Sequence, residues 1–402
     1  MSQMTTKHST VNPASILGAP LKLPCGVVLN NRIVKAAMSD SLGDGRGNAT
    51  EAQTRLYERW AQGGVALSLI GEVQGTPHYP EKPGNLVLTP SADNQALQEL
   101  AQRGSINGTH VWPQLGHAGA LSYLPISQPT GPSALDLAEL KCAGMSIEDI
   151  ESLPTMYANA ALIAKSVGFG GVQIHAGHGF LLSQFLSPLF NHRIDEYGGS
   201  VEGRFRIVYE IIAAVRKAVG DAFPIGIKIN STDQLEGGLT EEDAMKMIAI
   251  IDQTSIDLID ISGGTYFPGA PASSDSSAGS GPYFVEFAER AKQITSIPIM
   301  ATGGFKTRQQ AVDAIESGAV DMVSIGRAMV LNPSLAKDWL SAKGGDPKLP
   351  RFVTNPPGGV TAWYSMRLTA LAEDKEDTFD LDLESAMQIY EARDDARCAG
   401  WQ

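Results

Sequence analysis

The feature that most constrains the fold is an alternation of short apolar, β-rich runs with longer segments of helical periodicity. Apolar runs of this kind are typical of parallel strands that are covered on both faces. Eight repeats predict an α/β protein with a closed (β/α)₈ or TIM barrel, and the count disfavours the alternative of an open doubly wound sheet. The predicted strands are Ile33–Met38, Val65–Glu72, Thr109–Leu115, Gly171–His175, Ile225–Asn230, Asp257–Ser262, Ile297–Thr302 and Asp321–Gly326. The clearest predicted helices are Glu51–Ala61, Ile147–Ser166, Val201–Val219 and Glu241–Gln253.

The segments outside this alternation predict additions at both ends of the barrel. Leu21–Asn31 is expected to form a small hairpin before the first strand. We place the barrel at residues 14–345 and a C-terminal extension at 346–402. The extension begins rich in proline and glycine and turns helical around Leu383–Arg393. It is expected to pack on the barrel or on a neighbouring subunit of a homo-oligomer.

Two long segments follow predicted strands. His117–Met145 follows the third strand, and Gly263–Gly281, which contains a serine-rich stretch, follows the sixth. Loops that follow barrel strands lie on the catalytic face, so both are candidate lids or substrate walls. A mobile linker is an equally weighted alternative for the second.

Composition narrows the class of partner. The formal net charge is −13 and no basic block is present, which argues against nucleic acid, because phosphate binding needs clustered Lys and Arg. The first twelve residues are polar, and no apolar stretch approaches the ~18 residues needed to cross a bilayer. Cys25, Cys142 and Cys398 form no C-x-x-C pair. We therefore expect a cytoplasmic protein with reduced thiols, no membrane partner and no metal site.

Glycine pairs at two consecutive strand ends predict a phosphate site. Gly303 and Gly304 end the seventh predicted strand, and Gly326 and Arg327 end the eighth. Barrels often bind phosphate there, since glycines let backbone N–H groups approach closely and an arginine adds charged donors. A single Gly-Gly is commonly only a turn, but Gly-Gly and Gly-Arg at the ends of two consecutive strands favour phosphate binding.

Two histidines, His175 and His178, end the fourth predicted strand. At a barrel mouth, two imidazoles can donate paired hydrogen bonds to an oxygen that gains negative charge. Metal ligation is a weaker alternative, because no third ligand stands at a clear spacing. A purely structural pair is the remaining alternative.

Polar residues also end the third and fifth predicted strands. Gln114 offers a donor and an acceptor together, which suits the pyrimidine edge of a flavin. Lys228 offers a cation that could stabilise an anionic reduced flavin. Each alone could be an ordinary strand-end residue, but their joint placement favours a flavin site.

The segment Val172–Ser200 resembles the signature region of the Old Yellow Enzyme family of flavoproteins. Asn30–Val34, Gln114–Gly119 and the closing glycine pairs follow in the family's order, so the resemblance covers roughly Leu21 to Leu340. It implies an FMN-binding TIM barrel that is reduced by NADPH or NADH. It also implies that an α,β-unsaturated carbonyl compound, an enone-type small molecule, then accepts hydride in a ping-pong mechanism.

The resemblance carries roles over to individual positions. Ala37, Met38 and Ser39 match the stretch along the flavin, where the hydroxyl of Ser39 would tune flavin O4. Val73, expected just beyond the second strand, matches a backbone contact to the flavin. Lys228 stands where most relatives have Arg, and so loses the bidentate fork. Residues that match further family roles are Gln114 at the pyrimidine, Gly303, Gly304, Gly326 and Arg327 at the phosphate, and His175 and His178 at the substrate carbonyl.

Two positions depart from the family pattern. Phe180 stands at the position of the tyrosine that commonly protonates the alkene, and Ala120 stands where an arginine is usual. Phenylalanine has no proton to give, so the acid must come from elsewhere. Tyr266 is the best protein candidate and Tyr123 a weaker one, with water as the alternative. Phe180 and Tyr266 are therefore expected to contact substrate.

These departures keep other functions open. One alternative is a flavin-dependent dehydrogenase or demethylase that acts on a different small substrate. Another is a flavin-binding barrel without turnover, and a third is a flavin-free phosphosugar-binding barrel. The last accounts for the glycine pairs but not for Gln114, Lys228 and the histidine pair together.

Overall fold

The computed structural model describes residues 13–270, 281–353 and 356–401. Eight parallel strands close into a barrel whose neighbours follow chain order, and the last strand pairs with the first. The prediction of a (β/α)₈ barrel is therefore confirmed. The strands are β1 Ile33–Lys35, β2 Leu67–Gln74, β3 His110–Gly116, β4 Val172–Ala176, β5 Ile225–Asn230, β6 Leu258–Ser262, β7 Ile299–Thr302 and β8 Met322–Ile325.

Burial explains why these runs become strands. Every residue of β2, β4, β5 and β6 is buried, because helices cover the outer face and side chains fill the interior. The predicted bounds of β5 were correct, and β1 ends earlier than expected, at Lys35. One expectation was wrong: Val73 lies within β2 rather than beyond it, since β2 continues to Gln74.

Helices alternate with the strands and begin at side-chain caps. The Ser146 hydroxyl accepts from the backbone N–H of Asp149, whose carboxylate accepts in return from the Ser146 N–H. The Thr240 hydroxyl likewise accepts from Asp243 N–H. The longer helices are Glu51–Gln62, Asn94–Gly104, Ile147–Ser166, Val201–Val219, Glu241–Ile251, Arg308–Glu316, Gly359–Ala372 and Leu383–Cys398, and the shorter ones are Pro13–Leu17, Leu181–Leu186, Val285–Ala291, Arg327–Leu331 and Leu335–Ser341.

The predicted N-terminal hairpin is present, with Leu21–Lys22 antiparallel to Val28–Leu29. Its leucines pack against Leu67 and Trp112 of the barrel interior, so the hairpin covers one end of the barrel. The segment after β3 forms a small three-stranded sheet from Thr130–Gly131, Leu135–Asp136 and Lys141–Gly144. Residues 271–280, the serine-rich part of the predicted lid or linker after β6, lie outside the described residues.

The C-terminal extension contacts the barrel of its own chain. Its two helices pack together, and the first of them, Gly359–Ala372, packs against the helix Glu51–Gln62, where Arg59 donates to the carbonyl of Leu371 at 3.0 Å. Arg55 on the same helix pairs with Asp374 at 3.0 Å. At the far end, Arg397 donates to the carbonyl of Ser41 at 2.6 Å. Among the described helices, none is long and apolar enough to cross a membrane.

Gly71 in β2 generates a prediction about stability. A Cβ at this position would overlap the backbone carbonyl of Met38, so the chain after β1 approaches β2 more closely than any side chain allows. Gly71→Ala should lower the free energy of unfolding by about 1–3 kcal/mol, the usual cost of overpacking a core. Chemical denaturation, followed by circular dichroism, would measure the loss.

Gly345→Ala is the matched control, because no heavy atom lies within 4 Å of the point that its Cβ would occupy and its φ is not positive. This variant should leave the free energy of unfolding unchanged or raise it by up to about 1 kcal/mol, because alanine lowers the conformational entropy of the unfolded chain. If Gly71→Ala and Gly345→Ala had the same free energy of unfolding, the close approach of Met38 to Gly71 would not contribute to stability.

Candidate active site

A cavity of about 1050 Å³ opens where the strands end, on the face expected for catalysis. The structure brings most of the predicted residues to its wall. Those that line it are Ala37, Met38, Ser39, Gln114, His178, Phe180, Tyr266, Gly303, Gly304, Gly326 and Arg327. Val73, His175 and Lys228 do not line it and lie behind the wall. The C-terminal extension contributes Thr361, Tyr364 and Tyr390 to the cavity lining.

The glycine pairs form the tightest part of this wall. Gly303 and Gly304 have φ values of +122° and +81°, which side chains rarely adopt. A Cβ at Gly304 would also overlap the carbonyl oxygen of Gly281. Ser324, at the end of β8, has a buried hydroxyl oxygen that meets no hydrogen-bond partner in the described part of the chain. With Arg327 beside it, this corner can surround an anionic oxygen-rich group.

A network of buried polar side chains crosses the barrel below the cavity. Gln114 Nε2 donates to Gln173 Oε1 at 2.7 Å, and Gln173 Nε2 donates to Asp260 Oδ2 at 3.2 Å. Thr302 Oγ1 donates to the other oxygen of Asp260 at 2.6 Å. Sequence reasoning missed Gln173 and Asp260. Their signal was a polar residue inside an otherwise apolar strand, which must find a partner when buried.

The network changes the expectation for Lys228. Its Nζ lies 2.6 Å from Asp260 Oδ2, and the side chains are 1% and 0% exposed. The ammonium therefore faces the barrel interior and an opposite charge, not the cavity wall. It can act on a bound group only through the intervening network or at longer range.

Of the histidine pair, His178 lines the cavity and His175 lies behind its wall. The ring centroids of His175 and His178 are 5.3 Å apart with the rings nearly perpendicular. His178 has φ +61°, held by a hydrogen bond from its N–H to Asn230 Oδ1, and Ser262 Oγ lies 2.8 Å from its Nε2. Burial and the Lys228 charge lower the pKa of His175 to about 3 and that of His178 well below its usual range. Both imidazoles are therefore neutral at physiological pH.

The described residues contain no group of three or more His, Cys, Asp or Glu side chains that could hold a metal ion. The metal interpretation of the histidine pair thus finds no third ligand among them. Aromatic rings surround the pair instead. Phe180 lies 5.1 Å from His175, and Tyr266 lies 5.9 Å from His178 and 5.7 Å from Phe180, between ring centroids.

Two carboxyl groups at the cavity were not foreseen. Glu72 lies in β2, and Glu81 in the following loop accepts a hydrogen bond from Ser39 Oγ at 2.8 Å. Ser39 was expected to offer its hydroxyl to a flavin, but here that hydroxyl donates to Glu81. Burial raises the pKa of Glu72 to about 8 and that of Glu81 to about 7. The available signal was a glutamate that interrupts the apolar run of the second strand.

Comparison with known proteins decides the family. Residues 17–341 match the model of the NADH:flavin oxidoreductase / NADH oxidase family. The chain belongs to this family. The predicted relationship to the Old Yellow Enzyme is confirmed, and so is the assignment as an NAD(P)H-dependent flavin oxidoreductase.

Relatives with similar sequences come from fungi and bacteria. An NADH-dependent flavin oxidoreductase of Hypocrea jecorina is 33% identical over 353 residues, which cover 79% of this chain and 87% of the relative. An NADPH dehydrogenase of Geobacillus thermodenitrificans is 33% identical, with 77% of this chain and 89% of the relative covered. A Neonectria relative of the first kind is also 33% identical over 88% of this chain, but the chain spans only 50% of its length.

Solved structures share the fold. A 2-naphthoyl-CoA reductase complex aligns with a TM-score of 0.77 at 26% identity, covering 82% of this chain and 53% of that one. The Old Yellow Enzyme homologue from Zymomonas mobilis aligns with a TM-score of 0.71 at 21% identity, covering 85% and 98%. The latter likeness concerns the fold alone.

The family's flavin fits the residues of this cavity. The glycine corner with Arg327 and the buried Ser324 hydroxyl suit the phosphate of FMN, because they offer close backbone approach and donors. Gln114, whose carboxamide is fixed by Gln173, suits the pyrimidine edge. Ala37 and Met38 line the wall between these two ends.

Arg327 gives a direct test of the phosphate corner. We expect Arg327→Ala to weaken FMN binding by about 10–150-fold, the equivalent of the roughly 1.5–3 kcal/mol of a hydrogen bond to a charged group. Riboflavin lacks the phosphate, so its affinity should hardly change. Fluorescence titration of flavin-free protein with each compound would separate the two cases.

Arg308→Ala is the control, because this nearby arginine lines a different, smaller pocket. It should leave the affinities for FMN and riboflavin as they are. If Arg327→Ala weakened both flavins equally, the arginine would support the cavity as a whole and the phosphate would lie elsewhere.

Proposed function

We propose that the protein reduces the activated C=C bond of α,β-unsaturated carbonyl compounds with NADH or NADPH, in a ping-pong sequence. The observation that carries the proposal is the pair of neutral imidazoles, 5.3 Å apart, of which His178 lines the cavity and His175 lies directly behind it. A neutral imidazole carries one N–H group, which can donate a hydrogen bond to a carbonyl oxygen and polarise it.

The chemistry of the substrate requires such donors. As the β-carbon of an enone gains hydride, the carbonyl oxygen gains negative charge, and fixed donors in a water-poor site stabilise that charge strongly. The Ser262 contact to Nε2 and the Asn230 contact to the backbone hold His178 in place before substrate arrives. His175, 2% exposed, lies directly behind His178 and Phe180 and completes the pair.

The walls beside the pair suit a flat apolar molecule. Phe180 and Tyr266 present rings 5.7 Å apart, and Tyr266 is 66% exposed toward the open side. Bound FMN supplies the two-electron chemistry that links nicotinamide to alkene. The volume of about 1050 Å³ is at the upper end for a single ligand site, so nicotinamide and substrate would use the space above the flavin in turn.

The names of relatives support the choice of reductant. Proteins similar to this chain include NADH-dependent flavin oxidoreductases and NADPH dehydrogenases. A morphinone reductase with the same fold has been solved with tetrahydroNAD, at 22% identity. Both nicotinamides therefore belong in the first assay.

A second candidate function is oxidation of a small substrate by the same flavin. Phe180 favours it, because alkene reduction commonly uses a tyrosine acid at this position and Phe180 has no proton to give. Its buried ring packs between His175 and Tyr266 and cannot carry a proton to either. Reduction of the flavin by a substrate without nicotinamide would select this function.

The histidine pair provides the main test of the proposed function. Phenols present an oxygen over a flavin in the way an enone would, and we expect them to give a long-wavelength charge-transfer band with the wild-type holoenzyme. Replacing both histidines, His175→Ala with His178→Ala, should abolish that band while FMN stays bound. Each lost donor should raise the activation free energy of enone-driven flavin reoxidation by roughly 2.7–4 kcal/mol. Stopped-flow measurements of the reoxidation rate would show this increase.

His192→Ala is the control, since this histidine lies on the exposed loop after β4 and contacts the carbonyl of Leu189. This variant should keep the charge-transfer band and the rate of enone-driven reoxidation of the wild type. If the double variant bound phenols normally, the two histidines would not be the residues that bind the substrate oxygen. A wild-type flavin that nicotinamide reduces but enones do not reoxidise would move the second candidate ahead.

A further inference from the structure

The hydroxyl group of Ser39 is held between two side chains of the loop that follows β2. Ser39 Oγ donates to Glu81 Oε2 at 2.8 Å and accepts from Asn85 Nδ2 at 3.3 Å. The orientation of the Asn85 amide is fixed by Lys82, whose backbone N–H donates to Asn85 Oδ1 at 2.8 Å. Because the oxygen of the amide faces Lys82, its NH₂ group must face Ser39. Asn85 is only 3% exposed, so bulk water does not compete for these bonds.

These hydrogen bonds leave Ser39 with an acceptor on its free side. A serine hydroxyl has one proton and two lone pairs. The proton is donated to Glu81 and one lone pair accepts from Asn85, so a single lone pair remains for a ligand. Ser39 and Glu81 both line the cavity that suits FMN. The wall therefore offers an acceptor at a point where a donor to flavin O4 was expected.

An acceptor at this point does not match an oxidised flavin ring. The ring accepts hydrogen bonds at N1, at N5 and at its two carbonyl oxygens, and it donates only from N3–H. Gln114 suits the pyrimidine edge that carries this N3–H group. Two acceptors that face each other form no hydrogen bond, and each loses the bond that water gave it. The lone pair of Ser39 therefore opposes flavin binding.

A proton on Glu81 removes this mismatch. The carboxylic acid can then donate its O–H group to Ser39 Oγ, while Asn85 continues to donate to the second lone pair. The proton of Ser39 is then free to turn toward the cavity. All three side chains remain hydrogen-bonded, and only hydroxyl protons have to rotate.

We propose that flavin binding is coupled to the uptake of one proton by Glu81, and that Ser39 transmits the change to the flavin. The proton comes from solvent and forms an O–H bond at the Glu81 carboxylate, and no bond breaks within the protein. Ser39 is the residue that contacts the flavin, and Glu81 is the positioning residue that sets the direction of its hydroxyl. The inference concerns the cofactor and does not depend on which substrate the flavin reduces or oxidises.

The surroundings of Glu81 allow this proton to exchange near neutral pH. Burial and the charge of Glu72 raise the pKa of Glu81 to about 7, against the opposing effect of Lys82. Glu72 lies at the bulge where the pairing of β2 with β3 shifts register, and its Oε1 lies 2.9 Å from His175 Nδ1. The titratable or charged groups that interact with Glu81 are Glu72, Lys82, Tyr266 and Tyr390.

The coupling predicts that flavin affinity falls as the pH rises. Below the pKa of Glu81, the carboxyl group already holds its proton, so binding needs no proton uptake. Above that pKa only the protonated fraction is competent, so the dissociation constant should rise by up to about tenfold per pH unit. Riboflavin is the ligand to use, because the phosphate of FMN itself titrates near pH ~6. Fluorescence titration of the flavin-free chain would give the dissociation constant at each pH.

Calorimetry would count the proton directly. At about pH 8.5, the wild-type chain should take up about one proton for each riboflavin that binds. The uptake follows from the binding enthalpies in buffers of different ionisation enthalpy. At about pH 6, where Glu81 is already protonated, the uptake should disappear.

Two variants separate the hydroxyl from the charge. The amide of Glu81→Gln can donate to Ser39 Oγ at every pH, and Ser39→Ala has no lone pair that opposes the flavin. In both variants the affinity for riboflavin should be independent of pH, and no proton should be taken up. If the Glu81 charge acted on the flavin directly, Ser39→Ala would keep the pH dependence.

Glu72→Gln and Glu58→Gln are the matched controls. Glu72 is the other glutamate that lines the cavity, whereas Glu58 does not line it and pairs with Arg103. Both variants should keep the rise of the dissociation constant with pH. Loss of that rise in Glu72→Gln would assign the proton to Glu72 and overturn the inference.

The outcomes separate this inference from the proposed function. An affinity that is independent of pH in the wild type, or a pH dependence that persists in Ser39→Ala, overturns the inference and does not affect alkene reduction. Flavin that binds with proton uptake but is not reoxidised by enones overturns alkene reduction alone. Calorimetry of the wild type at two pH values decides the inference even if a variant fails to fold.

Discussion

The buried ion pair between Lys228 and Asp260 is the interaction on which the site depends. Charges removed from water are tolerated only when they are paired and hydrogen-bonded, and loss of one partner typically costs about 3–5 kcal/mol. Asp260 meets this condition with Lys228 on β5, Thr302 on β7 and Gln173 on β4. The same residues therefore tie four strands of the barrel together and fix the carboxamide of Gln114 at the cavity.

The position of this pair also sets the protonation of the residues above it. Lys228 disfavours a positive charge on His175 and His178, and burial acts in the same direction. It favours the Glu72 carboxylate, yet burial outweighs it and leaves the carboxyl protonated at neutral pH. A lysine whose own charge faces Asp260 thus acts on the cavity through electrostatics instead of direct contact. The imidazoles and the carboxyl beside them are therefore all neutral at this pH.

The cavity itself is completed by parts of the chain that are distant in sequence. The ends of the barrel strands supply the glycine corner and His178, and the C-terminal extension supplies Tyr364 and Tyr390. Lys82 lies over the ring of Tyr123 at 4.4 Å and pairs with Asp394 of the extension at 3.4 Å. The extension is thereby attached to the loop that carries Glu81. This arrangement links the rim of the cavity to the carboxyl groups inside it.

The sequence by itself determined the barrel, the glycine corner, the placement of most of the cavity wall and the family. Strand and helix periodicity is a local property that reports burial directly, so β5 and the helices Ile147–Ser166 and Val201–Val219 could be predicted to the residue. Only the tertiary structure decided the partners of Lys228, Ser39 and Glu72 and the docking of the extension. Those contacts join residues far apart in the chain, and closure of the barrel, including the bulge at Glu72, decides which side chains meet.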